Sequence, residues 1–335
     1  MNTVAGNNGV WHRGSRTGLS IGCAALAAGL MVAASPTLAV DWNAVKGTNI
    51  TLFAPGQASF EWVMTQTDHS GAGRFREGKN CADCHDGEQK DIGNLIVASE
   101  GRGAKLEPKP MAAEGKPGTI DLNVKTAHDG ERLHMQLQWK EVAHGGDKLD
   151  PDTAARVTVM LDDGTVREAG RAGCWGACHD DAIGMASAAP DGKLTKYLFA
   201  SRSALARSGG GENYKPAAEL QDLLAKGMYL EYWQARLNPG QPAKAIEGYI
   251  LEKRHEQDAT QVSAEASFAD GTWTVVFSRP LKAGNAQHKD LVAGKQYNVG
   301  FAVHNNYTDH RFHHVSLEYT LALDGGNASL IAVKQ

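Results

Sequence analysis

Residues 119–140 read TIDLNVKTAHDGERLHMQLQWK, and this stretch decides the fold class. Its apolar residues occupy every second position in two runs, at Ile120, Leu122, Val124, Leu133, Met135, Leu137 and Trp139. Alternation with a period of two is typical of β-strands that bury one face. The stretch therefore predicts two half-buried strands.

The same alternation continues outward along the chain. Further strands are predicted at 157–161, 229–235, 246–251, 262–268, 272–277, 297–303 and 315–323. Many strands without intervening helices predict a mainly β protein, an antiparallel β-sandwich. A less regular section at 164–226, with a helix at 216–226, is predicted to be inserted into it. Residues 40–112 are rich in Gly, Lys and Asp and are predicted to be an irregular segment, so that residues 113–335 form the sandwich domain.

The amino terminus has the layout of a cleaved secretory signal peptide. Arg13 and Arg16 precede an apolar run at 19–34, and small residues follow at 37–39. The run is shorter than the about 20 residues that span a bilayer. Residues 1–39 are therefore predicted to be removed on export to the periplasm, with an uncleaved membrane anchor as the alternative. Cys23 lies inside this run and would leave with it.

The charge and hydropathy of the remaining chain exclude two classes of partner. The leader carries two Arg and no acidic residue, so its removal moves the net charge from −4 to −6. An acidic protein is not expected to bind nucleic acid. No later segment is apolar enough to predict an integral membrane span.

Cys81-Ala82-Asp83-Cys84-His85 is a C-x-x-C-H motif, the pattern for covalent attachment of haem c. Two thiols bond the two vinyl groups on one edge of the porphyrin, and the adjacent imidazole ligates the iron from one face. The alternatives are a redox dithiol, which needs a thioredoxin-like alternation of strands and helices, and half of a zinc site.

The segment Cys174-Trp175-Gly176-Ala177-Cys178-His179 has one more residue between its thiols. Gly176 and Ala177 would allow the extra residue to bulge outward. With this second motif, every cysteine after the leader is assigned, and the chain is predicted to carry two covalently bound haem c groups. A disulfide or a noncovalent site is the alternative. His85 and His179 are the predicted proximal ligands of the two irons.

Four segments resemble a known family. VGFAVH at 299–304 and RFHHVSLEY at 311–319 resemble the carboxy-terminal strands of the haem-binding domain family of ethylbenzene dehydrogenase gamma subunits, of the dimethyl sulfoxide reductase type, and of related c-type cytochromes. LQW at 137–139 and GCWGACHDD at 173–181 also match. The resemblance covers residues 100–335. It implies a β-sandwich that holds haem between or against its sheets and passes electrons beside molybdenum enzymes or in respiratory chains like those fed by NapC/NirT-type cytochromes.

Haem iron that only transfers electrons normally has protein ligands on both faces. His69 lies in a loop ahead of the first motif and is the predicted distal ligand there, with an exposed loop histidine as the alternative. His313 stands where noncovalent-haem relatives carry a ligating Lys. It is in register with the apolar residues of a strand at 315–323 and is the predicted distal ligand of the second haem, whereas His314 falls on the polar side. Reserve candidates are His314, His304 and Met185.

The predicted function is that of a periplasmic electron carrier, not an enzyme, in a respiratory chain such as denitrification or another anaerobic respiration. Its predicted partners are redox proteins, either a quinol-oxidising cytochrome or a periplasmic reductase. The first alternative is a haem enzyme, a peroxidase or an oxyanion reductase, in which one iron keeps an open axial position. The second is a sensory or structural subunit, which a redox titration would distinguish.

Overall fold

Within the described residues, thirteen strands form one mainly antiparallel sheet that folds over on itself. The computed structural model describes residues 40–55, 60, 63, 69–98, 116–142, 151–177, 198–204, 214–306 and 313–335. The strands are β1 (Thr48–Phe53), β2 (Thr119–His128), β3 (Arg132–Lys140), β4 (Ala155–Asp162), β5 (Leu230–Leu237), β6 (Lys244–Ile250), β7 (Arg254–Asp258), β8 (Ser263–Ala269), β9 (Thr272–Pro280), β10 (Gln296–Asn305), β11 (His313–Val315), β12 (Tyr319–Leu323) and β13 (Leu330–Lys334).

The strand order gives the sheet two layers. Strands β7, β6, β5, β4 and β10 form one layer, and β2, β3, β9 and β8 form the other. Two routes join them, one through β11 and β1 and one through β12 and β13. Only the pairings of β13 with β12 and with β2 are parallel. The predicted mainly β, antiparallel, sandwich-like fold is confirmed.

The main hydrophobic core lies between the two layers. The alternating apolar residues of β2 and β3 point into it, as do those of β4, β5, β9 and β10. Trp233, Trp273 and Phe277 are among its largest side chains, and each is at most 1% exposed. Full burial of one large apolar side chain stabilises a fold by about 1.5–3 kcal/mol, so this core is the main source of stability.

Strands β4 and β5 are buried on both faces, whereas the alternation in β4 predicts one exposed face. Their outward side chains, among them Met160 and Tyr232, belong to a second apolar cluster. Val166, Ala169 and Cys174, from the segment between β4 and β5, cover that face. The sandwich therefore has an additional outer layer, and the second cysteine motif lies in it.

Five helices are described: α1 (Ala72–Arg76), α2 (Ala82–His85), α3 (Gln89–Ala98), α4 (Arg167–Gly176) and α5 (Ala217–Ala225). A 3₁₀ turn is formed by Phe199–Ser201. The helix predicted at 216–226 is confirmed as α5. Between α4 and α5, residues 178–197 and 205–213 lie outside the described range.

Some elements differ from those the sequence predicts. The segment 40–112 is more regular than predicted, because β1 pairs with both β2 and β11 and three helices follow it. Strands β7 and β13 were not predicted. The strand predicted at 315–323 is wrong, since residues 316–318 separate β11 from β12. These three residues instead contact the cysteine motifs.

Residues 39–335 form one compact unit, in which the division into residues 40–112 and 113–335 stays a prediction. The leader predicted at 1–39 lies outside the described residues. No described helix has both the length and the apolar character that a membrane span requires.

Candidate functional site

The first cysteine motif forms the one-turn helix α2. Cys81 caps the helix, and its carbonyl accepts hydrogen bonds from the N–H groups of Cys84 (3.2 Å) and His85 (2.9 Å). Residues three apart on a helix lie on one face, so the two thiols are neighbours. Cys81 is partly buried and Cys84 is exposed, and the two are not joined by a disulfide. Burial, followed by the charge of Glu318, raises the pKa of the Cys81 thiol.

A carboxylate orients the histidine of this motif. The Nδ1–H of His85 donates to Oε2 of Glu88 at 2.9 Å. Imidazoles that ligate metals usually donate their second ring N–H in this way, which fixes the tautomer and raises the basicity of the ligating nitrogen. The contact leaves Nε2 of His85 for the iron.

The rings of His69 and His85 lie at a separation that matches two imidazoles on one iron. The two ring centroids are 6.2 Å apart, and the ring planes differ by 47°. A metal–imidazole bond of about 2 Å on each side, plus about 1 Å from each nitrogen to its ring centre, also separates two axial imidazoles by about 6 Å. The structure thus brings together the two predicted ligands of the first haem, and the residues present fit the group.

The second cysteine motif begins on α4, which closely approaches the sheet. Gly173 has φ +56°, and a Cβ there would lie 2.2 Å from the carbonyl oxygen of Leu317. A Cβ on Gly300 of β10 would lie 2.6 Å from the backbone nitrogen of Cys174. Only glycine allows this contact at both positions. Cys174 is consequently held against the outer face of β10.

A cavity lies between α4 and this face of the sheet. It is lined by Pro55, Thr158, Met160, Cys174, Trp175, Ala177, Tyr232, Ile250, Arg254, Ala302, His304, His313 and Val315. The lining is mostly apolar, with one cysteine, two histidines and one arginine. A haem has an apolar ring, an iron and two carboxylates, and this set of side chains fits each of those parts.

The two histidines of the cavity lie side by side. His304 on β10 pairs in register with His313 on β11. Their ring centroids are 5.0 Å apart and the rings stack with an interplanar angle of 20°. Burial, with the charges of Arg156 and Arg254, holds the pKa of His304 well below its usual range. His304 is therefore neutral, as an iron ligand must be.

His314 lies outside the set of cavity-lining residues. Its Nε2–H donates to the carbonyl of Pro117 at 2.8 Å. Burial and the nearby charge of Lys116 lower its pKa to about 3, although the hydrogen bond to Pro117 acts in the opposite direction. Of the other predicted residues, Cys178, His179 and Met185 lie outside the described residues.

The structure adds residues to the site that the sequence analysis did not identify. Glu88 could have been found from its position three residues after His85. Arg254, Tyr232 and Thr158 enter the cavity from strands far apart in the sequence, and no local signal marks them. The main chain of His313 is fixed by Lys116, whose Nζ donates to the His313 carbonyl at 3.0 Å.

Glu318 contacts the first motif from residues 316–318. Its Oε1 accepts a hydrogen bond from the N–H of Ala82 at 2.8 Å. Burial, and then the charges of Asp83 and Asp86, raise its pKa to about 7, although the bond from Ala82 acts in the opposite direction. A carboxyl group next to the first haem site therefore titrates near neutral pH.

Glu318→Gln is expected to remove a pH-dependent loss of stability. Because the pKa of Glu318 rises from 4.5 to about 7 on folding, the wild-type protein should lose this contribution as the pH rises through that window. The Gln side chain retains the acceptor for Ala82 and does not ionise. Urea unfolding across the pH range should show the variant gaining stability over wild type toward pH 7 and above. Parallel pH profiles of the two proteins would contradict the role assigned to Glu318.

Comparisons with curated proteins define the class of this protein. It is 37% identical to cytochrome c-552 of Stutzerimonas stutzeri over 309 residues, covering 91% of this chain and 93% of the relative. It is 28% identical to cytochrome c-551 of Rhodocyclus tenuis over 299 residues, covering 89% of this chain and 100% of the relative. With the cysteine–histidine motif of α2, these relatives make the chain a c-type cytochrome, a protein that holds haem c covalently and transfers electrons.

The family follows from a match over most of the chain. The family model described as ethylbenzene dehydrogenase matches residues 39–316. The chain belongs to this family, and the resemblance seen in the sequence is confirmed. Among solved structures, a family 9 carbohydrate-binding module from Caldicellulosiruptor kristjanssonii aligns with a TM-score of 0.29 and 9% identity, over 67% of this chain and 80% of the module. At that TM-score the likeness has no bearing on function.

Proposed function

We propose that this protein is a periplasmic dihaem c-type cytochrome that transfers electrons in a respiratory chain. The main support for the proposal is that the structure contains two separate sites. In each of them, a cysteine of a predicted haem-attachment motif lies close to two histidines. At the first, His69 and His85 face each other beside Cys81 and Cys84. At the second, Cys174 shares a mostly apolar cavity with His304 and His313.

The residues of the first site would hold one haem. Cys81 and Cys84 form the thioether bonds, His85 is the proximal ligand and His69 the distal one. Glu88 keeps the His85 imidazole oriented through its 2.9 Å hydrogen bond. A more basic imidazole favours ferric iron, so Glu88 helps to set the potential of this site.

The residues of the second site would hold the other haem. Cys174 and Cys178 form the thioether bonds, His179 is the proximal ligand and His313 the distal one. The apolar lining of the cavity excludes water from the ring, and Arg254 supplies a positive charge for its carboxylates. Bound haem supplies reversible one-electron chemistry between ferrous and ferric iron.

An electron carrier is favoured over a haem enzyme because histidines are available for both faces of each iron. At the first site His69 and His85 would supply both ligands. At the second site His313 would supply the distal ligand, opposite the predicted proximal ligand His179, which lies outside the described residues. A peroxidase or an oxyanion reductase would need one open axial position. Low-spin spectra for both haems, and failure of the reduced protein to bind carbon monoxide, are the expected results for a carrier.

The haem count tests the proposal directly. The full chain is produced with a c-type maturation system and exported, and its haem is measured by pyridine haemochrome absorbance and by intact mass. We expect two covalent haems per chain and a mass that lacks residues 1–39. Replacing Cys81 and Cys84 with Ser should remove one haem, and replacing Cys174 and Cys178 should remove the other.

Cys23→Ser is the matched control, since Cys23 lies in the predicted leader and its replacement should leave two haems in place. A wild-type protein with a single covalent haem would overturn the dihaem proposal and would reopen the enzyme alternative. Retention of residues 1–39 in the exported protein would contradict the predicted cleavage.

The proposed partners are redox proteins, either a quinol-oxidising cytochrome or a periplasmic reductase. Cys84 is exposed on α2, which supports a first haem site at the protein surface. Asp83, Asp86 and Glu88 are exposed in this segment, as are Lys79 and Lys90, so the local surface is mixed in charge. The net charge of −6 predicted for the chain without its leader would favour a partner with a basic docking face.

A further inference from the structure

The first cysteine motif is hydrogen-bonded to the helix that carries the second. The N–H of Cys81 donates to the carbonyl of Arg171 at 2.8 Å. Arg171 lies on α4, three residues before Cys174. Its guanidinium in turn donates to the carbonyl of Lys79 at 2.6 Å and to that of Phe75. The chain leading into the first motif is therefore hydrogen-bonded to the helix that carries the second.

Residues 316–318 hold both motifs from the other side. The carbonyl of Ser316 accepts a hydrogen bond from the N–H of Trp175 at 3.2 Å. Oε1 of Glu318 accepts one from the N–H of Ala82 at 2.8 Å. Residues 316–318, which follow β11, thus hold both α2 and α4 by hydrogen bonds.

Trp175 extends from the second site to the first. Its side chain lines the cavity that contains Cys174 and His313. It also packs, as Cys81 does, against a separate apolar cluster formed by Phe60, Val63, Phe75 and Ala172. Among the described residues, Trp175 alone belongs both to the cavity lining and to that cluster. Its indole Nε1–H donates to the carbonyl of Pro55 at 3.0 Å, which fixes the ring in place.

We propose that electrons pass inside the protein between the two haems, through the contact made by Trp175 and by the hydrogen bond from Cys81 to Arg171. This inference rests on the proposed dihaem function. In each step one electron leaves a ferrous iron, which becomes ferric, and reduces the ferric iron of the other haem. No bond to the protein forms or breaks, and no proton is required.

The exposure of the attachment residues gives the two sites different roles. Cys84 at the first site is exposed, whereas Cys174 at the second is 6% exposed and lies on α4 where that helix packs against β10. Among the described attachment residues, the exposed one belongs to the first site, so the first haem would exchange electrons with partners and the second would exchange them with the first.

The test uses the full dihaem protein in a half-reduced state. Exchange of electrons between the haems is measured from the exchange of the haem methyl proton resonances in NMR spectra. We expect exchange whose rate does not depend on protein concentration, because the electron stays within one molecule. A rate that rises in proportion to concentration would overturn the inference, since exchange would then occur between molecules.

Two variants of Trp175 test the route. Trp175→Phe keeps an aromatic ring between the sites and should leave the intramolecular rate close to that of wild type. Trp175→Leu removes the ring and should slow the rate several-fold. Equal rates in the two variants would exclude Trp175 as part of the route. If Trp175→Leu fails to bind haem, the concentration series on the wild-type protein still decides whether the electron transfer is intramolecular.

The failure of this inference can be distinguished from failure of the proposed function. A protein with one haem would contradict the dihaem proposal. The mass measurement by itself detects that outcome. A protein with two haems and no concentration-independent exchange would keep the dihaem proposal and overturn only the internal transfer.

Discussion

In the proposed dihaem arrangement, replacing His313 with Ala is expected to convert one haem from a low-spin to a high-spin state. His313 lines the cavity of Cys174, is 5% exposed, and lies on a strand whose main chain is fixed by Lys116. A buried imidazole held in this way is a suitable sixth ligand, and alanine offers no atom that can replace it. The haem proposed to be ligated by His69 and His85 should keep its low-spin spectrum.

The measurement combines absorption and electron paramagnetic resonance spectra with binding of carbon monoxide by the reduced variant. His304→Ala is the matched control, because its ring stacks on His313 in the same cavity and its loss should leave the iron low-spin. Added imidazole should restore the low-spin spectrum of His313→Gly. His313→Met should keep a low-spin iron but raise its potential, as methionine ligation does.

A high-spin haem in His304→Ala together with an unchanged spectrum in His313→Ala would exchange the roles of these two residues. Unchanged spectra in both variants would exclude the cavity histidines and leave Met185, outside the described residues, as the reserve ligand for that iron.

Much of the fold could be predicted because one face of most strands contacts the main core. β9 alternates between buried and partly exposed residues along its whole length, and the sequence pattern locates it. β4 and β5 could be located but not fully interpreted, since the outer layer that covers their second face comes from residues between them. The periodicity of a strand does not indicate that a helix will be packed on its outer side.

The candidate site could be predicted where its residues are neighbours in the sequence. Cys81, Cys84 and His85 form a local motif, so their relation does not depend on the fold. The facing of His69 and His85 depends on how a loop and α1 are placed, and loop length alone could only suggest it. The stacking of His304 on His313 depends on the register of β10 with β11, which alternation does not fix.

The core also contains a buried ion pair. Arg279 on β9 is 1% exposed, and its Nη1 donates to both carboxylate oxygens of Glu231 on β5, at 2.9 and 3.1 Å. Glu231 also accepts hydrogen bonds from Trp233 Nε1 at 2.6 Å and from His288 Nδ1 at 2.8 Å. Burial alone would raise the pKa of Glu231, but Arg279 and His288 outweigh it and hold that pKa below its usual value.

Arg279→Met is therefore expected to lower the free energy of unfolding by about 3–5 kcal/mol, since it leaves a buried carboxylate without its cation. Lys244→Met is the matched control: Lys244 pairs with Asp258 at 2.9 Å on the surface, where both side chains are more than half exposed. Loss of that pair should cost only about 0–1 kcal/mol.

Urea unfolding of the haem-loaded proteins measures both changes. The loss of unfolding free energy in Arg279→Met should become smaller as the pH falls. The reason is that protonation neutralises the buried Glu231 carboxylate, which the variant leaves without the Arg279 cation. A loss no larger than that of Lys244→Met would show that the buried pair contributes no more than a surface one.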